Sequence, residues 1–461
     1  MISLLYVNLF ISQIMENKQS IEQSMEHVKQ SVSKVLEMAK SLGAQSAEVS
    51  ISKMQGLSVS TRMGEVETVE FNNDGALGIS LYKDGRKGSA STADLSEKAL
   101  QQSVNAAVNI ANYTSVDPFA GLADKELLEF EPEDLDLYHP QQISADQAID
   151  IAREAELTAL QRDARIVNSD GANFASYEGF KVYGNSHGQL VAYPSTRHSL
   201  TCMMIAASGE DMQRDYNYTV SREFAQLTPA KSLGEQAADA ALERLNPRKI
   251  ATQKCPVLFR ADVANSIFGH LISAISGGNL YRNSSFLVDS IGERIFSDHL
   301  TIEERPFIKR GLASSAFDAE GVKPIQREII KNGCLQSYLL TSYSARKLGL
   351  QTTGNAGGIH NWQVSANGGD LTAMLEAMGT GLLVTELMGQ GVNVVTGDYS
   401  RGAAGFWVEN GQIAYPVSEI TIAANLKDMF KSLVLSGNDY DLRGSIKTGS
   451  LLIEQMQVSG Q

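Results

Sequence analysis

Seven histidines (His27, His139, His187, His198, His270, His299 and His360) and three cysteines (Cys202, Cys255 and Cys334) are the side chains of this 461-residue chain best suited to hold a transition metal. A zinc site takes several His, Cys or carboxylate ligands steadied by outer hydrogen bonds. Here no two histidines are spaced to share a helix face, no H-E-x-x-H occurs, and the cysteines lie far apart with no C-x-x-C. The sequence therefore offers no ready-made metal cluster. His270 follows Gly269 in a stretch whose apolar residues Val263, Ile267, Phe268, Leu271, Ile272 and Ile275 recur at helical spacing. Asp262 is the expected N-cap of that helix and Gly277-Gly278 its stop. A lone histidine off the apolar face of such a helix is more often a hydrogen-bonded structural group than a ligand.

Two glycine-rich runs could instead bind a ligand through backbone and polar side chains. Gly357-Gly358-Ile359-His360-Asn361-Trp362 is either a binding loop or, slightly favoured, a tight turn anchored by Trp362. Between Thr396 and Trp407, Asp398, Tyr399, Ser400 and Arg401 stand among glycines that would let a peptide backbone approach. The plainer alternative is an Asp398–Arg401 pair fixing a β-turn. Neither Ser400 nor Ser342 sits in a G-x-S-x-G elbow, which leaves a serine hydrolase little support. No Walker loop and no G-x-G-x-x-G after a strand is present, so nucleotide-driven chemistry is not favoured.

The elements that must position these residues follow from periodicity and punctuation. A helix is expected from about Ile21 to Leu42, closed by Gly43. Alternating runs at 47–51, 57–59, 66–71 and 77–81, with turns at Met63-Gly64, Asn73-Asp74-Gly75 and Lys83-Asp84-Gly85, predict an antiparallel meander. Asp94 is expected to cap the next helix. A Pro- and acid-rich stretch from Asp117-Pro118 to Asp134 has few apolar residues to bury and reads as a linker. Ser144-x-x-Gln147 opens a further helix as a capping box. Strands follow over 166–197 with turns at Ser169-Asp170-Gly171 and Asn185–Gly188, then a helix around 232–245. The remainder is rich in short strands and glycine.

The expected fold is α+β: an N-terminal α/β-layered region with antiparallel strands, followed by a largely β C-terminal domain. The divisions read as an extension over 1–20, a first α+β unit over 21–116, a linker over 117–143, a second α+β unit over 144–247 and a β-rich domain over 248–461. Residues 1–14 have the character of a mis-assigned start, because Met15 opens a polar run better suited to begin a protein. The apolar opening is too short to span a bilayer and has no basic n-region. Hydrophobic residues make up 43% and charged residues 20%, the balance of an ordinary globular protein. A net charge of −14 with no basic stretch disfavours nucleic-acid binding. Scattered cysteines suit a reducing compartment.

Several strings are specific enough to carry a resemblance: Ser58 to Glu67, Gly184-Asn185-Ser186-His187-Gly188, Leu340 to Leu348, Gly357 to Trp362, Val384 to Gly391 and Gly397 to Asn410. Together they resemble the PmbA/TldE branch of the TldD/PmbA family, formerly termed modulators of DNA gyrase, over nearly the whole chain from about residue 20. The resemblance implies a cytoplasmic TldD–TldE pair that acts as a metal-dependent protease on peptides and unfolded segments. In the TldD branch, zinc is held by the two histidines of an H-E-x-x-x-H helix and a C-terminal cysteine, with the glutamate as base. Aligning the shared Gly-His on Gly269-His270 places Asn265 at the first histidine, Ser266 at the glutamate and Thr448 near the cysteine. One ligand position of three is kept, and a lone imidazole cannot hold zinc.

The expectation is therefore a non-catalytic subunit, with no cofactor of its own, beside a zinc-bearing TldD-like partner. His360, Asn361, Trp362, Asp398, Tyr399 and Arg401 are its candidate peptide-binding residues. An independently active metallopeptidase with ligands from distant positions, or a homodimeric peptide-binding protein without catalysis, are the alternatives. A histidine spacing of five would also turn the two ligands roughly 140° apart on a regular helix. Relieved of that demand, the segment around His270 is expected to be regular.

Overall fold

The computed structural model describes the backbone of residues 2–460 and the side chains of residues 20–460. Helix α1 (Ile2–Ser41) ends at Gly43, whose φ of 86° is the left-handed conformation that glycine adopts without strain. It leads into a six-stranded antiparallel sheet of β1 (Ser46–Arg62), β2 (Glu65–Lys83), β3 (Arg86–Thr92), β4 (Ile166–Asn185), β5 (Leu190–Ser208) and β6 (Asp211–Ser221). The spatial order is β3-β2-β1-β4-β5-β6. The expected meander is thus one long hairpin with a short third strand. Only Met63-Gly64 and Asp84-Gly85 turn the chain, while Asn73, Asp74 and Gly75 stay in the ladder opposite Gln55, Met54 and Lys53. Likewise Ser169-Asp170-Gly171 is a bulge inside β4 rather than a turn.

Four helices cover this sheet. Helix α2 (Glu97–Tyr113) is capped by Ser96, with Asp94 instead accepting from the Ser96 amide, so the cap lies two residues later than the sequence suggests. Helix α3 (Ala145–Gln161) begins with the Ser144–Gln147 capping box as read. It packs on α4 (Ala230–Glu243) through small residues, Ala148, Ala152, Ala155 and Ala159 facing Ala237, Ala238 and Ala241. The backbones come so close that a β-carbon on Gly234 would lie 2.1 Å from the Ala155 carbonyl oxygen. Within α3, Glu156 is fully buried against the hairpin tip, where its carboxylate accepts from the Met63 and Gly64 amides at 2.7 and 3.0 Å.

In the C-terminal half, β7 (Gln253–Phe259) runs directly into α5 (Ala261–Ala274), followed by a one-turn α6 (Gly277–Leu280). A small sheet combines β8 (Ile302–Glu304), β9 (Arg327–Lys331), β10 (Cys334–Leu335), β11 (Trp362–Val364) and a later short strand, with α7 (Ser342–Leu348) inserted. After α8 (Leu371–Met378) come β12 (Gly381–Met388), β13 (Asp398–Glu409), β14 (Gln412–Asn425), α9 (Leu426–Lys431), β15 (Leu433–Ser436), β16 (Ile446–Lys447) and β17 (Leu451–Ser459). The pairings β7–β12–β13–β14–β17 return to β7, which closes a five-stranded barrel. One face of its strands packs with α5 through Ala264, Ile267, Phe268 and Leu271; the other is covered by α8 through Met374, Leu375 and Met378. The molecule is α+β, with the antiparallel helix-covered sheet first and the barrel and small sheet after it. No helix among the described residues is long and apolar enough to cross a membrane.

The stretch 117–143 has no strand, but it is not a loose tether. Five of its apolar side chains, Leu122, Ala123, Leu128, Leu135 and Leu137, are buried. Leu135 and Leu137 pack between Tyr183 and Val191 of the N-terminal sheet and Phe317 of the C-terminal half.

Candidate functional site

Helix α5 is a continuous α-helix through the positions aligned with the zinc motif, as the absence of a five-residue ligand spacing leads one to expect. Its N-cap is Arg260 rather than Asp262, which sits in the first turn. The Asp262 carboxylate receives the Arg260 guanidinium in a two-bond fork at 2.8 and 2.6 Å. The guanidinium thereby stays at the mouth of the helix and Asp262 serves it rather than the helix amides. Asn265 and Ser266 lie one turn further on, and the Ser266 hydroxyl donates to the Val263 carbonyl at 2.7 Å.

Opposite α5 stands β13. The run from Asp398 to Trp407, which glycine content suggests is a loop, is a strand paired along β12 and β14. Strand alternation puts Tyr399, Arg401 and Ala403 on the face toward α5 and leaves Asp398 and Ser400 outward. Asp398 and Arg401 therefore form no pair. The Asp398 carboxylate accepts from the Thr396 hydroxyl at 2.6 Å and from the Asn425 amide at 3.2 Å instead. Tyr399 is buried edge-on against His270, ring centroids 5.8 Å apart. Burial holds the His270 pKa below the ordinary value, and the positive charge of Arg401 adds to the same shift. His270 is accordingly neutral. Its Nε2 is buried with no hydrogen-bond partner, as are the Tyr399 hydroxyl and Arg401 Nε.

Asn265, Ser266 and His270 share α5, and Thr448 follows β16, a short strand in contact with that helix. The Thr448 side chain is buried and its hydroxyl donates to the Gly449 carbonyl at 2.9 Å. A zinc ion does not fit this set. It contains one imidazole, an amide and two hydroxyls, and the charge that acts on the imidazole is the Arg401 guanidinium, which repels a cation. Among the described residues no three His, Cys, Asp or Glu side chains converge elsewhere either.

In front of Asn265, Ser266 and Arg401 opens a cleft of about 990 Å³ between the two halves of the molecule. Its walls are edge strand β6 with Asp215, Tyr216, Asn217 and Tyr218, the end of α4 with Arg244, the start of α5, the end of β12 with Glu386, and the segment 439–443. Arg244 bridges the cleft, pairing with Asp215 at 3.2 Å and more closely with Glu386. Arg443 bridges it again, forked onto Asp441 at 2.9 and 3.0 Å and donating to the Tyr218 carbonyl at 3.2 Å. Sequence reading singled out none of these bridging residues. The alternations Asp215-Tyr216-Asn217-Tyr218 and Asp439-Tyr440-Asp441-Leu442-Arg443 were the available signal, but only tertiary contact joins them.

The 357–362 segment lies elsewhere and takes the form of the anchored turn. His360, Asn361 and Trp362 are interior, His360 Nε2 against the Gly354 carbonyl and the Asn361 amide donating to the Arg305 carbonyl and Ser314. Buried Glu304 ties the turn together, accepting from the His360 backbone and Asn355 and pairing with Arg327. These three side chains present no surface to a ligand. Of the six candidate peptide-binding residues, Arg401 alone lines the cleft.

A barrel behind a helix-covered antiparallel sheet, with an interdomain cleft at α5, is an architecture that comparison with known proteins identifies. Residues 47–111, 138–245 and 252–460 match, in order, domain 1, the central domain and the C-terminal domain of the PmbA/TldA metallopeptidases. The chain belongs to the PmbA/TldD family of metallopeptidases. Among individual relatives, the metalloprotease PmbA of Escherichia coli O157:H7 is 56% identical over 96% of this chain and 98% of its own. A candidate modulator of DNA gyrase from Bacteroides thetaiotaomicron superposes with a TM-score of 0.89 at 29% identity, covering 94% of this chain and 99% of that one. TldE from Thermococcus kodakarensis shares the fold, with a TM-score of 0.79 at 18% identity over 93% of this chain and 100% of its own.

Proposed function

We propose that this chain is the non-catalytic subunit of a cytoplasmic metal-dependent protease that acts on peptides or unfolded segments, completing the substrate cleft of a zinc-bearing TldD-like partner. The observation that carries the reading is the composition of the His270 neighbourhood. Neither Asn265 nor Ser266 can take a proton from a metal-bound water near neutral pH as a carboxylate does, and Arg401 supplies positive charge where a metal would have to sit. The chain's own contribution is then binding. Its cleft of about 990 Å³ has room for a peptide segment, which the polar side chains along its walls, those of edge strand β6 among them, can meet with hydrogen bonds.

The test is zinc content per chain, by elemental analysis after purification without chelators or a metal-affinity tag, combined with a peptidase assay alone and with a TldD-like chain. Near-zero zinc, with cleavage appearing only in the mixture, is expected. About one tightly held zinc per chain, or cleavage by the chain alone, would establish an autonomous peptidase instead. Peptide retention without cleavage in either assay would leave a binding protein.

A further inference from the structure

We infer that the cleft is a carboxylate-binding site and that Arg401 is the residue that takes the carboxylate. The inference rests on the proposed peptide-binding role of the cleft and adds what part of the peptide is read. Five arginines line the cleft, and four of them are neutralised within the chain: Arg214 by Asp170, Arg244 by Asp215 and Glu386, Arg260 by Asp262, Arg443 by Asp441. Arg401 carries no ion pair among the described residues. Its Nε is buried without a hydrogen bond and its polar side-chain neighbour is the neutral Tyr399 hydroxyl, which offers no balancing charge, while the residue still borders the cavity. Leaving a half-buried guanidinium unpaired costs stability, and that cost persists in a fold which pairs every neighbouring arginine.

The chemistry of the missing partner follows from the surroundings. A guanidinium presents a planar fork of donors that a carboxylate matches with two parallel bonds. Asn265 lines the same wall, and its side-chain amide makes no hydrogen bond among the described residues. It can donate to the second face of a bound carboxylate or to the adjoining peptide group. The ligand should be a monoanion. The other four arginines of the cleft are already paired with carboxylates, so Arg401 alone is left to balance a ligand: it matches a single negative charge and would leave one charge of a phosphate dianion uncompensated. Two sources supply such a group on a peptide: the C-terminal carboxylate and an acidic side chain.

Three fluorescein-labelled forms of one heptapeptide, Gly-Ala-Ala-Leu-Ala-Ala-Leu, separate the sources when titrated with the full chain by fluorescence anisotropy. One form has a free C-terminus, one a C-terminal amide, and one an amide plus glutamate in place of the central leucine. The expected result is roughly tenfold weaker binding of the plain amide than of the free acid, the size of one charge-assisted pair. Recovery by the glutamate form would assign the site to acidic side chains, and no recovery to C-termini. In Arg401→Gln the preference for a carboxylate should disappear, and in Arg401→Lys it should shrink because the fork is lost. Comparing acid with amide in the unaltered chain needs no variant to fold. Equal binding of all three peptides, or no binding of any, overturns the inference. Neither result bears on zinc content or on activation of a partner, which test the subunit reading separately.

Discussion

Arg401 and His270 show how one residue's environment decides its chemistry. On sequence grounds Arg401 could have closed a turn with Asp398 three positions before it; strand alternation sends the two side chains to opposite faces. That step was hidden because glycine-rich strands read as loops. The degenerate positions Asn265, Ser266 and Thr448 became visible only through family resemblance, since an amide and two hydroxyls carry no signature of a lost metal. Elsewhere, His198 is a buried imidazole whose neutral form is specified by its bonds: the Ser176 hydroxyl lies 2.9 Å from Nδ1 and the His139 carbonyl 3.2 Å from Nε2. Burial holds its pKa below the ordinary 6.5. A histidine with a depressed folded pKa contributes stability above the unfolded pKa and loses it as pH falls through the folded value. His198→Phe keeps a ring against Phe224 but leaves Ser176 unpaired, and should cost about 1–3 kcal/mol at pH 7.5. The gap from the unaltered chain should narrow by pH 5.5 in denaturant titrations. Asp318, pushed up to about 7 by burial, pulls total stability the other way, which is why the difference between the two chains is the readout. A gap that stays constant or widens on acidification would refute the assignment.

At the scale of elements, local rules were legible where they were self-contained. The Ser144–Gln147 capping box and the Met63-Gly64 turn needed only their own residues. The caps at Asp94 and Asp262 misled because each aspartate had a better local partner, the Ser96 amide and the Arg260 guanidinium. Barrel closure could not be read at all, because β7 and β17 pair across nearly two hundred intervening positions with nothing local to mark it. The α3–α4 contact shows why small residues in helical register matter. Leucines would hold two helices 8–10 Å apart, whereas the alanine faces bring the Gly234 backbone onto the Ala155 carbonyl. Gly234→Ala should therefore force the helices apart despite alanine's better helix propensity. The expected loss is about 1–3 kcal/mol, the usual cost of overpacking a tight contact, measured by chemical denaturation. Unchanged or increased stability would mean that the helices slide to accommodate the methyl at no cost.

For the whole molecule, the segment 117–143 is one of the links between the two halves that wall the cleft, beside the Arg244 and Arg443 bridges. Its composition reads as a linker with few apolar residues to bury; besides its buried leucines, what fastens it is polar contact with distant side chains, which a linear reading cannot supply. Arg346 of α7 donates to the carbonyls of Phe119 at 3.0 Å, Gly121 at 3.2 Å and, more closely, Leu122. Tyr343 donates to Asp117 at 2.8 Å and Lys347 lies 4.4 Å from the centre of the Phe119 ring. One guanidinium thus satisfies three backbone acceptors that no regular element provides for. Arg346→Ala strips all three at once, while the buried leucines at 135 and 137 still hold the far end of the segment. The loss should appear as local opening around residues 117–125 rather than as collapse of either half. Trypsin cleavage after exposed Lys125 under native conditions reports that opening. Each tenfold rise in its rate corresponds to about 1.4 kcal/mol of lost local stability, and a rise of at least tenfold is expected, with the main melting transition little changed. If cleavage at Lys125 is no faster in the variant, the hold on this segment comes from its buried leucines, and the cleft owes its shape to the Arg244 and Arg443 bridges alone.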